Sequence, residues 1–181
     1  MKYKEIFKLI ISIVVCQMAG FVGAIFTTPK IATWYATINK PSFTPSGFFI
    51  GAVWTILFFL MGISLYLAWE KGFKAEVSKK DQKMKYWNKI TEKLWTGTWR
   101  EENAILIFTL QLVLNILWSV IFFGLQSPGL AFFELIMLWW AILYTIANFY
   151  RISKPAAYLL IPYIAWVSFA GILNFILWRM N

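Results

Sequence analysis

Five stretches of this chain carry no charged residue at all: 9–29, 41–69, 103–133, 135–150 and 155–178. A helix needs roughly 20 apolar residues to cross a hydrocarbon core of about 30 Å. Stretches of this length therefore leave few options besides membrane-spanning helices. The third and fourth are one long apolar run broken by Glu134, and Gln126-Ser127-Pro128-Gly129 supplies a turn just before it. The reading is an all-α integral membrane protein, a bundle of five transmembrane helices near 7–27, 48–69, 104–125, 130–150 and 156–178, in one domain spanning 1–181. Composition agrees, since 60% of residues are hydrophobic and only 14% charged, too few charges to cover a soluble domain of this size.

Lys2, Lys4 and Lys8 precede the first run, as in a signal peptide. The run is long for a signal segment and no A-x-A site follows, so it reads as a retained span. Cys16 lies inside it and is the only cysteine, which leaves no disulfide or cysteine metal site. Five spans put the termini on opposite sides. Fourteen of the seventeen Lys and Arg fall on the side of the N-terminus, the 70–103 loop and the 151–155 loop. The positive-inside rule places that side, with the N-terminus, in the cytoplasm and the C-terminus outside. The net charge of +9 is mostly this asymmetry, so no nucleic-acid partner is expected. The expected location is the bacterial cytoplasmic membrane.

Eleven tryptophans are present, and Trp54, Trp118, Trp139, Trp140 and Trp166 fall inside the spans instead of at their edges. An indole at that depth needs a partner for its N–H or a cavity to face. Counting inward from the outer face at about 1.5 Å per residue puts Glu134, Trp54, Trp118, Asn115 and Trp166 roughly 6 to 18 Å deep, on four different helices. Three helices also carry such residues as stripes: Gln111, Asn115, Trp118, Ser119 and Phe122; Trp54, Phe58, Met61 and Leu65; Pro162, Trp166, Phe169, Ala170 and Leu173. The stripes are either an aromatic pocket wall or ordinary interhelical packing with Asn and Ser as hydrogen-bonding partners.

Glu134 is the one carboxylate within the spans. An acid there is a functional-site candidate; one turn from the loop, it would equally reach the interface or meet the helix N-terminus. The 30–47 loop holds two prolines among aromatics, at Pro41 and Pro45, which suits a lid over the pocket or an interfacial anchor. Within 70–103, Met84, Trp87, Ile90, Thr91, Leu94 and Trp95 recur at helical spacing between lysines. That describes either a basic amphipathic helix on the cytoplasmic leaflet or a solvated linker. Ala19-x-x-x-Gly23 and Gly20-x-x-x-Ala24 allow close helix approach, within the chain or between copies.

The chain resembles the TspO/MBR family of tryptophan-rich sensory and translocator proteins. The matching residues are Trp34-Tyr35 with Lys40-Pro41 and Pro45-x-Gly47, Val53-Trp54, Leu114-Asn115-x-x-Trp118-Ser119 with Phe122-Phe123, Pro128-Gly129-Leu130-Ala131, and Leu160-Ile161-Pro162-Tyr163-x-x-Trp166-x-x-Phe169-Ala170 ending in Leu173-Asn174. The resemblance implies five helices, commonly paired as a homodimer, with a pocket beneath the first loop. It implies a receptor, sensor or carrier in the lipid bilayer for hydrophobic tetrapyrroles such as protoporphyrin IX, and for isoquinoline carboxamide-type ligands. By motif match the ligand-binding residues are Tyr35, Pro45, Trp54, Phe58, Asn115, Trp118, Ser119, Glu134, Trp166 and Ala170. Bacterial members are associated with light-dependent porphyrin breakdown, implicating the positions of Trp54 and Trp166. Phe43 stands where the family usually has Trp, and Ser46 replaces a second proline. The sterol-recognition pattern has Phe175 in place of its Tyr, and sterol binding is not predicted.

Three functions are therefore in play: a porphyrin receptor or carrier, a light-dependent porphyrin-degrading protein, and a non-catalytic membrane interaction protein. With no histidine, one cysteine inside a span and one carboxylate within the spans, the chain lacks ordinary acid–base or nucleophilic machinery, and the lack of histidine argues against axial His ligation. No metal and no required cofactor are expected, with porphyrin as ligand.

Overall fold

The computed structural model describes residues 3–81 and 101–181, with the backbone alone for 72–81 and 101–103. The expected amphipathic helix around 83–95 lies outside the described residues. The elements are α1 (Tyr3–Ile31), α2 (Trp34–Thr37), α3 (Gly47–Asp81), α4 (Glu101–Ser119) continued by a π-helical turn (Val120–Gly124), α5 (Pro128–Ile152), α6 (Lys154–Leu159) and α7 (Ile161–Met180). Five segments are long and apolar enough to span a bilayer: Tyr3–Ile31, Gly47–Lys71, Ala104–Gly124, Pro128–Ile152 and Lys154–Met180. Among the described residues every regular element is helical.

The departures from expectation have local causes. The second helix, expected to stop near 69, runs to Asp81. Lys, Glu and Ala there are good helix formers, so the helix continues after the apolar run ends. The last span is broken at Leu160, between α6 and α7. Pro162 has no N–H to donate to the Tyr158 carbonyl, so the ladder lapses there and restarts. Ser46 marks the start of α3: its hydroxyl accepts from the Phe49 N–H at 3.3 Å and its carbonyl from the Ile50 N–H at 3.0 Å. A serine where the family places proline thus acts as a helix N-cap.

The helices form a ring in the order α3, α1, α4, α5, α7, and α6 joins α3 to close it at the end far from the 32–46 loop. There Ser64 Oγ donates to the Ala156 carbonyl at 2.7 Å. Phe108 of α4 stacks on Phe149 of α5, centroids 5.5 Å apart and planes at 8°. Small residues set the approach of α1. A Cβ on Gly62 would lie 2.6 Å from the Ile13 Cα, and one on Gly20 2.6 Å from the Phe58 ring. A Cβ on Gly23 would stand 3.1 Å from Ser119 Oγ. The small-residue motif of the first span is therefore used to pack α1 against α3 and α4.

Candidate functional site: an aromatic cavity beneath a latched loop

Between the helices lies a cavity of about 540 Å³, walled by all five spans and by Tyr35 of α2. Tyr35, Trp54, Phe58, Asn115, Trp118, Ser119, Trp166 and Ala170 all line it. Trp54 stacks on Phe58 with centroids at 5.6 Å, and Trp118 on Phe122 at 4.9 Å. Pro45 and Glu134 are not part of the wall. Pro45 follows a tight turn in which the Thr44 N–H and hydroxyl both donate to the Pro41 carbonyl, at 3.0 and 2.7 Å. Glu134 is buried, 6% exposed, but Leu135 and Leu138 supply the α5 share of the wall.

Position within the spans also overcounted the indoles. Trp140 is 61% exposed and faces outward, and Trp139 donates to Ser168 Oγ at 2.8 Å without lining the cavity. A residue count along a helix gives depth, whereas the direction of a side chain follows the 100° step between neighbours. The three indoles in the wall differ in fixity. Trp118 Nε1 donates to Asn174 Oδ1 at 3.0 Å, and Asn174 Nδ2 donates to the Pro128 carbonyl at 2.7 Å, so that ring is held. Trp166 Nε1 is buried and has no partner among the described residues. A buried donor left unmet costs about 1–3 kcal/mol, which a ligand acceptor would relieve.

Beneath the aromatic layer Asn115 Nδ2 donates to the Tyr163 hydroxyl at 2.9 Å, and that hydroxyl donates to Gln111 Oε1 at 2.9 Å. Asn115 is thus braced from below and its amide is held at the cavity floor. Sequence reasoning missed the α1 wall, made by Gln17, Ala19, Gly20, Gly23, Ala24 and Thr27 among others. The signal was present as the small-residue motif, because side chains that short leave room beside them.

The loop is a lid with a defined seat. Trp34 and Tyr35 pack on Phe122 and Phe123 with centroids 5.5 to 6.3 Å apart. The π-helical turn Val120–Gly124 carries both of those rings. Phe43, which replaces the family's usual Trp, meets Phe169 edge-on at 6.5 Å. Burial raises the Tyr35 phenol above its ordinary value, so it stays a neutral hydroxyl at the mouth. Lys40 Nζ lies 4.7 Å from the centre of the Tyr35 ring, a cation held beside the opening.

A latch to the last helix completes the lid. The Asn39 N–H donates to Asn181 Oδ1 at 2.8 Å, Asn181 Nδ2 returns a bond to the Asn39 carbonyl at 3.0 Å, and Asn39 Nδ2 reaches the Met180 carbonyl at 3.4 Å. Bonds of this kind contribute about 0.5–1.5 kcal/mol each. Asn181→Ala is expected to speed amide hydrogen exchange in 38–44 by roughly tenfold, with the spans unchanged. Unchanged exchange in that segment would mean that the aromatic seat alone holds the loop.

The chain matches the TspO/MBR family over residues 12–179. It is 39% identical to the tryptophan-rich protein TspO of Archaeoglobus fulgidus, over 98% of this chain and 99% of that one. It is 34% identical to the human translocator protein, over 91% of this chain and 85% of the relative. Protein CrtK of Rhodobacter capsulatus is 30% identical over 93% and 89% of the two chains. With five membrane-spanning helices around an aromatic cavity under its first loop, this integral membrane protein belongs to the TspO/MBR family.

Proposed function

We propose that the protein is a membrane receptor or carrier for a flat hydrophobic tetrapyrrole, held in the cavity beneath the lid. The observation that carries this reading is the meeting of Trp54 from α3, Trp118 from α4 and Trp166 from α7 on one hollow. Ring faces stack on indoles whatever the substituents, so such a wall suits a planar aromatic guest. A volume of about 540 Å³ falls in the range expected of small-molecule sites. The names of relatives, translocator protein and tryptophan-rich sensory protein, fit a receptor or sensor role. Without histidine the chain offers no imidazole to a haem iron, which favours a metal-free porphyrin. The charge asymmetry of the loops orients the lid towards the outside and the 70–103 segment towards the cytoplasm.

Lys40 gives the mouth a polarity. Protoporphyrin carries two propionates, and Lys40 beside Tyr35 is placed to meet one of them. Lys40→Glu is expected to weaken protoporphyrin IX binding by about fivefold to tenfold at low salt, with less effect at high salt. The dimethyl ester of the same porphyrin, measured by quenching of protein fluorescence, should be indifferent to the change. Equal weakening for acid and ester would remove Lys40 from the recognition of carboxylates.

A second reading is light-dependent porphyrin breakdown, favoured by the placement of Trp54 and Trp166 on the same cavity. The bound porphyrin would itself absorb the light, with a nearby indole as redox partner. Loss of the Soret band under illumination tests it. A rate equal to that of free porphyrin in detergent would leave binding as the whole function.

A further inference from the structure

The cavity is open towards the bilayer as well as covered by the lid. On α3, Gly47, Gly51 and Thr55 line it at one-turn intervals, and on α1 so do Phe21, Ala24 and Thr28. All six are exposed. A residue that is both a cavity wall and exposed within a span marks a gap through which the interior meets lipid. The glycines show how the gap arises. Further from the lid α1 and α3 touch, with a Cβ added to Gly62 falling 2.6 Å from the Ile13 Cα. Near the lid a Cβ on Gly51 or Gly47 would meet nothing within 4 Å. The α3 glycines near the lid thus leave open space beside them, and the foot of this opening is marked by Gln17 Nε2 donating to the Thr55 carbonyl at 3.1 Å.

We propose that this window between α1 and α3 is the route by which a flat hydrophobic molecule dissolved in the bilayer reaches the cavity. The inference rests on the reading of the cavity as the binding site. A porphyrin partitions into lipid before it meets the protein. The aqueous mouth is covered by Trp34 and Tyr35 and pinned through Asn39 and Asn181, so passage there requires breaking the latch. The window needs no such step. Its rim of glycine, alanine and threonine is low, and Phe21, 62% exposed, is the one large side chain among those six.

Gly51→Leu tests the route, because the added side chain points into open space and a leucine favours helix over glycine. The protein is placed in lipid nanodiscs, protoporphyrin IX is delivered from phosphatidylcholine vesicles, and association and dissociation are followed by stopped-flow fluorescence. The expected result is that association and dissociation both slow by about tenfold, the signature of a narrowed passage. Association at the wild-type rate, or weaker binding through faster dissociation, overturns the proposal. Faster association in Asn181→Ala would then assign the route to the mouth.

A second measurement separates this proposal from the reading of the cavity itself. Phosphatidylcholine brominated on its acyl chain quenches indoles that it touches, with no porphyrin present. The Trp54 share of that quenching is the difference between parent and Trp54→Phe proteins. It should be lost in the Gly51→Leu background. If wild-type protein shows no saturable porphyrin binding, the proposed function fails and this quenching decides the window alone: a persistent Trp54 signal in Gly51→Leu overturns it.

Discussion

Replacing Trp54 and Trp166 together by alanine is expected to weaken protoporphyrin IX binding by about a hundredfold. Stacking of a flat heteroaromatic ring on a side-chain ring is worth about 1–3 kcal/mol per contact. Two such losses near the low end of that range amount to roughly 3 kcal/mol, or about two powers of ten in affinity. Trp166 adds a donor that has no partner among the described residues, so its removal also deletes a hydrogen bond to any acceptor on the guest. Trp118 is the wrong choice for this experiment. Its N–H ties α4 to Asn174 on α7, and truncation would disturb the bundle as well as the wall. The double variant should keep its far-ultraviolet circular dichroism. An affinity within threefold of wild type would show that these indoles do not hold the porphyrin.

The second large effect falls on stability. Gly62→Val places a branched side chain where even a Cβ would stand 2.6 Å from the Ile13 Cα and 3.0 Å from its nitrogen. The obstacle is backbone, which cannot rotate aside, so α1 must move away from α3. Overpacking of this kind costs about 1–3 kcal/mol and occasionally more. A drop in melting temperature of roughly 5–10 °C is expected, read by a thermal scan in one detergent. Gly51→Ala, with nothing within 4 Å of its new Cβ, should melt at or above the wild-type temperature. Equal melting of both variants would mean that the two helices do not cross as closely as described.

The contrast between these glycines also shows what the sequence could and could not reveal. The spans were legible because an uncharged run of about twenty residues has few other uses in a folded chain. Their ends were less so. Charge marks where a segment leaves the apolar core, and α3 continues as a helix past that point to Asp81. The π-helical turn Val120–Gly124 has no compositional sign, yet it presents the Phe122 and Phe123 rings to the lid.

At the site, aromatic and amide stripes on three helices were readable from spacing, and Trp54, Asn115, Trp118 and Trp166 do share one cavity. What spacing cannot supply is the angle of each stripe about its helix. Glu134 therefore matched in depth without joining the wall, and Trp140 lies within a span yet faces outward. The α1 wall was hidden for another reason, because glycine and alanine announce close packing and only coordinates show where the packing stops. The Asn39–Asn181 latch joins residues 142 apart in the chain, beyond any local pattern.

Titration of protoporphyrin IX into the protein in nanodiscs, followed through its indole emission, addresses the central claim most directly. A cavity that holds the ring between Trp54, Trp118 and Trp166 predicts saturable quenching at one porphyrin per chain, above that of empty discs mixed with free tryptophan. Quenching that rises without saturation and matches simple partitioning of porphyrin into the lipid would contradict it.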